Sequence, residues 1–155
     1  MILLNAAIEI IAAFFGTLGF CIMYNIRGKK LWVGAIGGMI SWALFIVLGL
    51  VISGEPVRYL LVSIFTTVYS EVMARRLKTP ASTFCIITLI PLVPGGSLYY
   101  TMTYVLRGNL NAFISKAVYT LQLTVALALG IVIVISIDKY LSYQIRKRKA
   151  KKKED

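Results

Sequence analysis

The sequence predicts an all-α integral membrane protein of about five transmembrane helices, the fourth broken at Pro91–Gly96, with a short basic cytoplasmic tail. Of its 155 residues 59% are hydrophobic, and the mean hydropathy is +0.82. A soluble domain is about 45–50% apolar. Short polar loops separate apolar runs close to the ~20 residues that cross a bilayer. The length fits one domain, so we assign residues 1–141 to a transmembrane domain and 142–155 to the tail.

Basic residues predict the orientation of these spans. The net charge is +11, and 14 of the 17 Lys and Arg residues follow the first span, the third span or the end of the fifth. Because basic loops remain in the cytoplasm, we expect the N-terminus outside the cell (inner or plasma) membrane and the C-terminus inside. A role in anchoring the orientation, with contacts to anionic lipid, is sufficient to explain the basic tail. We therefore expect a lipid-bilayer environment and no nucleic-acid partner.

Three of the predicted spans carry small residues four positions apart. The five spans are predicted at Ile2–Ile26, Leu31–Ile52, Val57–Met73, Ala81–Leu106 and Ala117–Ile137. The small pairs are Ala12/Gly16, Gly34/Gly38 and Ala126/Gly130. This spacing lets membrane helices approach closely, so we predict helix packing at each pair.

A carboxylate lies near the end of the third span. Glu71 and Arg75 are four residues apart, so they can form an ion pair on one helix face. Alternatively, Glu71 is an ionisable group at the mouth of a transport pathway, because carboxylates inside membranes usually serve function. The second interpretation makes Glu71 a candidate coupling residue.

The fourth span is interrupted near its middle. Pro91 and Pro94 each remove a backbone donor and clash with the carbonyl one turn earlier, and Gly95 and Gly96 relax the backbone that follows. Lipid tolerates such a break only where protein or a water-filled cavity covers the freed polar groups. Transporter binding sites are often built this way. The alternative is a packed proline kink with no ligand.

The two ends at the break carry opposite partial charges. We expect unpaired carbonyls at the end of the first half-helix and free N–H groups on Gly95, Gly96 and Ser97 at the start of the second. A small carboxylate, or better a zwitterion, would fit between them. Ser97 either caps the second half-helix or contacts substrate. The candidate substrate-binding residues are Pro91, Pro94, Gly95, Gly96, Ser97, Tyr99 and Tyr100.

Several function classes find no support in the sequence. It contains no histidine, the commonest general base and metal ligand. Cys21 and Cys85 lie singly in apolar runs without metal-ligand spacing. We therefore expect no enzyme activity, cofactor or metal site, and the lack of a phosphate-binding glycine loop argues against a primary pump. A secondary transporter subunit and a non-transporting membrane scaffold or assembly subunit remain.

The motif at the break carries a family resemblance. The pattern Ile90-Pro91-x-x-Pro94-Gly95-x-Ser97-x-Tyr99, preceded by Ser70-Glu71, Ala74-Arg75, Lys78-x-Pro80 and Phe84, resembles the small (ThrE_2, YjjB-like) subunit of the threonine/serine exporter family. Gly19-Phe20 with Asn25 and the Gly34–Gly38 cluster are also similar to that family. The resemblance implies a secondary exporter of small amino acids or related small carboxylates. It also implies assembly with a larger ThrE_1-like (YjjP-like) membrane subunit. We expect the chain to assemble with itself when that subunit is missing, because the broken helix would otherwise expose unpaired backbone to lipid.

Overall fold

The chain folds into six α-helices joined by short connections. The computed structural model describes the backbone of residues 2–154 and the side chains of residues 4–144 and of Lys147. The helices are α1 Ile2–Met23, α2 Lys29–Gly49, α3 Glu55–Leu77, α4 Ala81–Leu89, α5 Gly95–Leu106 and α6 Leu110–Glu154. A 3₁₀ turn at Ile90–Leu92 continues α4. The predicted all-α fold is confirmed.

Four helices are each long and apolar enough to cross a membrane. These are α1, α2, α3 and the Leu110–Gln144 part of α6. A fifth candidate is the pair formed by Ala81–Leu92 and Gly95–Leu106, which bends by 58° at the break. By length and composition, the predicted count of about five spans with a broken fourth is confirmed.

The core lies where α3 meets α4 and α6. Its buried cluster consists of Tyr59, Val62, Leu89, Leu92 and Leu123. α2 packs against α1, α3, α4 and the 3₁₀ turn, whereas the principal neighbour of α5 is α6. The first half of the broken span is thus inside the bundle, and the second half is at its edge.

Glycine contacts show which of the predicted small pairs bring helices together. A Cβ on Gly34 would lie 2.9 Å from the Cys21 sulfur, and one on Gly38 would overlap Thr17. A Cβ on Gly130 would overlap the Ser63 hydroxyl and lie 2.8 Å from the Leu60 carbonyl oxygen. The expected packing is therefore confirmed at Gly34/Gly38 and, with half-buried Ala126 against the core, at Ala126/Gly130.

The Ala12/Gly16 pair behaves differently. Both residues are exposed, and no atom lies within 4 Å of a Cβ placed on Gly16. α1 turns another face, which includes Thr17 and Cys21, toward α2. The prediction of close packing at Ala12/Gly16 is wrong within this chain.

Two helices extend beyond the spans predicted from the sequence. α6 begins at Leu110 rather than Ala117, because Asn109 provides an N-terminal cap in which its side-chain oxygen accepts a 3.1 Å hydrogen bond from the Ala112 N–H. α3 begins at Glu55, with Pro56 in its first turn, and ends at Leu77. α6 also runs without a break through the predicted domain boundary at 141/142 and includes 45 residues, a length of about 68 Å.

Buried hydroxyls connect the helices that surround α4. Ser41 on α2 and Thr66 on α3 are hydrogen-bonded at 2.9 Å, as are Ser70 on α3 and Thr88 on α4. The Ser41 and Ser70 hydroxyls also lie 2.8 Å from the carbonyl oxygens of Gly37 and Thr66, one turn earlier in their own helices. Such interhelical bonds contribute about 0.6 kcal/mol on average in membranes. They fix α4 against α2 and α3.

Candidate functional site

The turn at the break satisfies the carbonyls that the prolines cannot bond. In a regular helix, Pro91 and Pro94 would donate to the carbonyls of Ile87 and Ile90. Instead, the Ile90 N–H donates to Ile87, and the Val93 N–H donates to Ile90 at 3.2 Å. The expectation of free carbonyls is therefore wrong at these two positions. Each of these carbonyls already accepts one hydrogen bond from the chain.

The N-terminus of α5 differs from that carbonyl end. Pro94 occupies the cap position and makes no side-chain capping bond. The Gly95 N–H donates to the Val93 carbonyl at 2.6 Å, and the Leu98 N–H donates to Pro94 at 3.0 Å. The Gly96 and Ser97 N–H groups belong to the first helical turn, which has no intrahelical acceptor. The Ser97 hydroxyl makes no capping bond, so the capping alternative is not what the structure shows.

A polar cleft of about 560 Å³ opens beside this end of α5. Small-molecule pockets usually enclose about 300–1,000 Å³. The residues that line the cleft come from the start of α3, from α5 and from the first turns of α6: Glu55, Gly96, Ser97, Tyr100, Tyr104, Ala112, Ser115, Lys116 and Tyr119.

Three of the seven predicted binding residues meet in this cleft, namely Gly96, Ser97 and Tyr100. The other four do not line it. Pro94 is buried, Pro91 is half-buried in the turn, and Gly95 is exposed. Tyr99 is 68% exposed and packs edge-on against the Tyr100 ring. The site thus begins one residue after the break and continues along α5.

The sequence prediction missed the charged side of the cleft. The Tyr119 hydroxyl donates a hydrogen bond to the Glu55 carboxylate, and Arg58 Nη2 lies 3.6 Å from Glu55 Oε1. The Lys116 ammonium lies over the Tyr119 ring, 4.8 Å from its centroid. A helical spacing of Ala112, Ser115, Lys116 and Tyr119 would have placed these residues on one face. The sequence prediction missed this pattern because the predicted fifth span begins only at Ala117, which leaves Ala112, Ser115 and Lys116 outside it.

Glu71 lies on α3, away from this cleft. It is half-buried and lines a cavity of about 310 Å³ between α3 and α6 and another of about 280 Å³ bordered by α3, α4 and α6. Arg75 makes its ion pair with Asp138 of α6. The predicted Glu71–Arg75 pair is therefore not formed in this structure. Within the described residues Glu71 forms no salt bridge, although Arg75 lines the same cavity of about 310 Å³.

A helical membrane protein with one span broken inside its bundle, and a polar cleft at that break, has the architecture of secondary transporters. The family model described as Threonine/Serine exporter, ThrE matches residues 9–137. The chain therefore belongs to the threonine/serine exporter family, whose members are transporters rather than enzymes. The match includes Glu71, the break and the whole lining of the cleft. No curated protein and no solved structure matches the chain.

Proposed function

We propose that the chain is one subunit of a proton-coupled secondary exporter of small amino acids, threonine or serine, or of related small carboxylates. One observation carries the proposal: the first turn of α5 and the hydroxyl-bearing Ser97 and Tyr100 line a cleft of about 560 Å³ at a helix break. The partial positive charge at a helix N-terminus favours a bound carboxylate. A broken helix gives such a site at membrane depth without a permanent ligand.

The position of the cleft supports a substrate site. Lys116 is six residues after the start of α6, about 9 Å along the helix, and Ser97 is nine residues before the end of α5, about 14 Å. Because α5 bends by 58° from the first half of its span, these lengths along the helices exceed the depth of the cleft below the membrane surface. The cleft leads from the first residue of α3 toward the helix break, and transporters often bind their cargo at such breaks.

Glu71 is proposed as the coupling residue. It lies near the other end of α3, four residues before Arg75, and borders two cavities. A carboxylate that is alternately exposed to the two sides can carry a proton against the substrate. Its position between α3, α4 and α6 would let its charge state influence how these helices pack.

A second membrane subunit is the proposed partner, and the surface of α5 supports this assignment. Only Thr101 of α5 is buried, while Tyr99, Met102 and Leu106 are all at least 66% exposed. A larger ThrE_1-like subunit packed here would close the cleft on the side away from α6. When that subunit is missing, we expect the chain to associate with itself. The proposed location is the cell (inner or plasma) membrane, N-terminus out and C-terminus in.

Export measurements test the function. Cells expressing this chain with the larger subunit should export labelled L-threonine or L-serine faster than cells expressing either subunit alone. Unchanged export by a complex that accumulates normally would contradict the proposal and support the scaffold alternative.

A reporter fused after Asp155 tests the orientation separately. An alkaline phosphatase fusion should be inactive and a fluorescent protein fusion bright, because the C-terminus is cytoplasmic. The opposite pattern would refute the orientation derived from the 14 basic residues.

A further inference from the structure

We infer that Glu55 and Lys116 form a charge-matched pair that selects zwitterionic substrates, Glu55 binding the ammonium group and Lys116 the carboxylate. The inference rests on the proposed function, because it assumes that the cleft beside α5 holds the substrate. It adds the residues that would distinguish an amino acid from a dicarboxylate. Both charged side chains line that cleft.

Lys116 supplies a cation directed toward the cleft. Its ammonium lies over the Tyr119 ring at 4.8 Å, and within the described part of the chain the ion pairs involve Arg58 and Arg75 rather than Lys116. An aromatic face orients a cation but does not neutralise its charge. The ammonium therefore keeps its donors for an anion, and it joins the N–H groups of Gly96 and Ser97 in binding a carboxylate.

Glu55 supplies the opposite charge, and its surroundings leave it able to accept more hydrogen bonds. Tyr119 donates to Oε2, while Arg58 Nη2 is 3.6 Å from Oε1, longer than a hydrogen bond. A carboxylate offers about four lone-pair sites. The Glu55 side chain is 44% exposed, so an ammonium group in the cleft can reach the unused sites.

Arg58 is held by contacts other than Glu55. Its guanidinium carbon lies 5.0 Å from the centroid of the Phe45 ring, and Nη1 lies 2.7 Å from the position of a Cβ on Gly49. Its side chain is only 16% exposed. Glu55 remains the ion-pair partner of Arg58 at 3.6 Å, so a substrate ammonium would bind the Glu55 carboxylate in addition to Arg58.

Tyr119 sets the separation of the two charges. Its hydroxyl contacts Glu55 and its ring contacts Lys116, so the anion and the cation flank a single side chain. Hydroxyls of Ser97 and Ser115 also line the cleft and suit a hydroxylated side chain.

The Glu55–Lys116 pair predicts a specific order of substrate preference. A zwitterion satisfies both charges, whereas a monocarboxylate without an amine leaves Glu55 without its ammonium partner. A dicarboxylate brings a second anion next to Glu55, and like charges at close range disfavour binding. The expected order is L-serine, then lactate, then succinate.

Substitutions in the complex with the larger subunit test this order, with efflux of labelled L-serine, lactate and succinate measured from proteoliposomes. We expect the unaltered complex to export serine at least ten-fold faster than succinate. Glu55→Gln should lower serine export about ten-fold or more, because a charge-assisted hydrogen bond is lost, and should not lower succinate export. Lys116→Gln should lower export of all three. Tyr119→Phe should lower serine export less than Glu55→Gln does.

Glu9→Gln is the matched control. Glu9 is an exposed carboxylate on α1, accepts a 3.3 Å bond from the Trp42 indole N–H, and lies outside the cleft. The complex with Glu9→Gln should export all three compounds at the same rate as the unaltered complex. If Glu55→Gln does not accumulate, Glu55→Asp keeps the charge and should retain the order serine, lactate, succinate at lower rates.

The outcomes separate the inference from the proposed function. Serine export by Glu55→Gln equal to that of Glu9→Gln would overturn the inference and leave Glu55 a structural partner of Tyr119. A preference of the unaltered complex for succinate, or a changed order in Glu55→Asp, would also overturn it while leaving transport intact. Export of none of the three by a correctly assembled complex would refute the proposed function, and the inference with it.

Discussion

The two halves of the broken span have contrasting surroundings. The packed half, residues 81–92, buries Phe84, Ile87, Thr88, Leu89 and Leu92, and the last is 0% exposed. In the open half, α5, Thr101 is the one residue described as buried, and Leu106 is 88% exposed. The broken span thus gives a core element before the break and a peripheral helix after it.

This contrast separates the packed half, which acts as a fixed scaffold, from the open half, which we propose moves during transport. Helices with few buried contacts open at lower free energy than core helices do. No atom lies within 4 Å of a Cβ on Gly95 or Gly96, so the first turn of the open half has room to move. The packed half, held by the core and by the Thr88–Ser70 bond, gives that movement a fixed base.

The largest expected effect comes from leucine substitutions at two glycines, one on α2 packed against the packed half and one in the open half. Gly37→Leu should prevent accumulation of folded protein, because a Cβ there would lie 2.5 Å from both Thr88 and Tyr69 side-chain atoms. Gly96→Leu should accumulate normally and abolish export, because Gly96 lines the cleft and no atom lies within 4 Å of a Cβ placed on it. Membrane yield and export assays measure both variants. Normal yield of Gly37→Leu would remove the distinction between the halves.

A smaller effect on export is expected at Glu71. This residue lines a cavity together with Cys85 and Leu89 of the packed half. Glu71→Gln should lower proton-driven export about 100-fold, the lower end of the 10²–10⁴-fold contribution of positioned proton-transfer groups, without loss of protein. Glu71→Asp keeps an ionisable group and should retain part of the activity. Equal export by the glutamine variant would leave Glu71 no role in coupling.

Alanine substitutions compare the stability that each half contributes. Leu92→Ala should lower the free energy of unfolding in detergent by about 2–3 kcal/mol, because it leaves a cavity in the core. Leu98→Ala, at a position 47% exposed in the open half, should change it by about 0.5 kcal/mol or less. Thermal or denaturant unfolding measures both. Similar losses would show that α5 is packed as firmly as α4.

The smallest expected effect concerns the hydroxyl bond of each half. Thr88→Val removes the 2.9 Å bond to Ser70 and should cost about 1 kcal/mol, since Ser70 stays buried. Thr101→Val removes the 3.2 Å bond to Thr120 and should cost less, about 0.5 kcal/mol. Hydrogen exchange should then rise in α5 alone for Thr101→Val. A rise throughout the bundle would contradict local opening of the open half.

The sequence predicted features that depend on neighbouring residues and missed those that depend on distant ones. Pro91, Pro94 and the two glycines are sufficient to predict the break, because their backbone effects are local. The Gly34/Gly38 spacing likewise predicted a packed face. The partner of Arg75, in contrast, is 63 residues away at Asp138, whereas the sequence offered only Glu71, four residues away.

The charged side of the cleft was missed for the same reason, since its residues are distant in sequence. Glu55 and Tyr119 are 64 residues apart, and no periodic pattern relates them. The bend of 58° also could not be predicted, because it depends on how Leu92 and Pro94 pack in the core. Asn109 was a usable signal, since an asparagine before an apolar run commonly caps a helix.

The bonds between α3 and α6 also determine which bilayer fits the protein. Glu55–Tyr119 and Arg75–Asp138 join the same two helices about 30 Å apart along α3 and about 29 Å along α6. This separation equals the thickness of the hydrocarbon core, about 30 Å. The two bonds prevent these helices from sliding past each other, so in a thinner bilayer they must tilt together. The cost of hydrophobic mismatch would then fall on α5, which bends from the bundle at Gly95, so lipid chain length should alter transport before it alters stability.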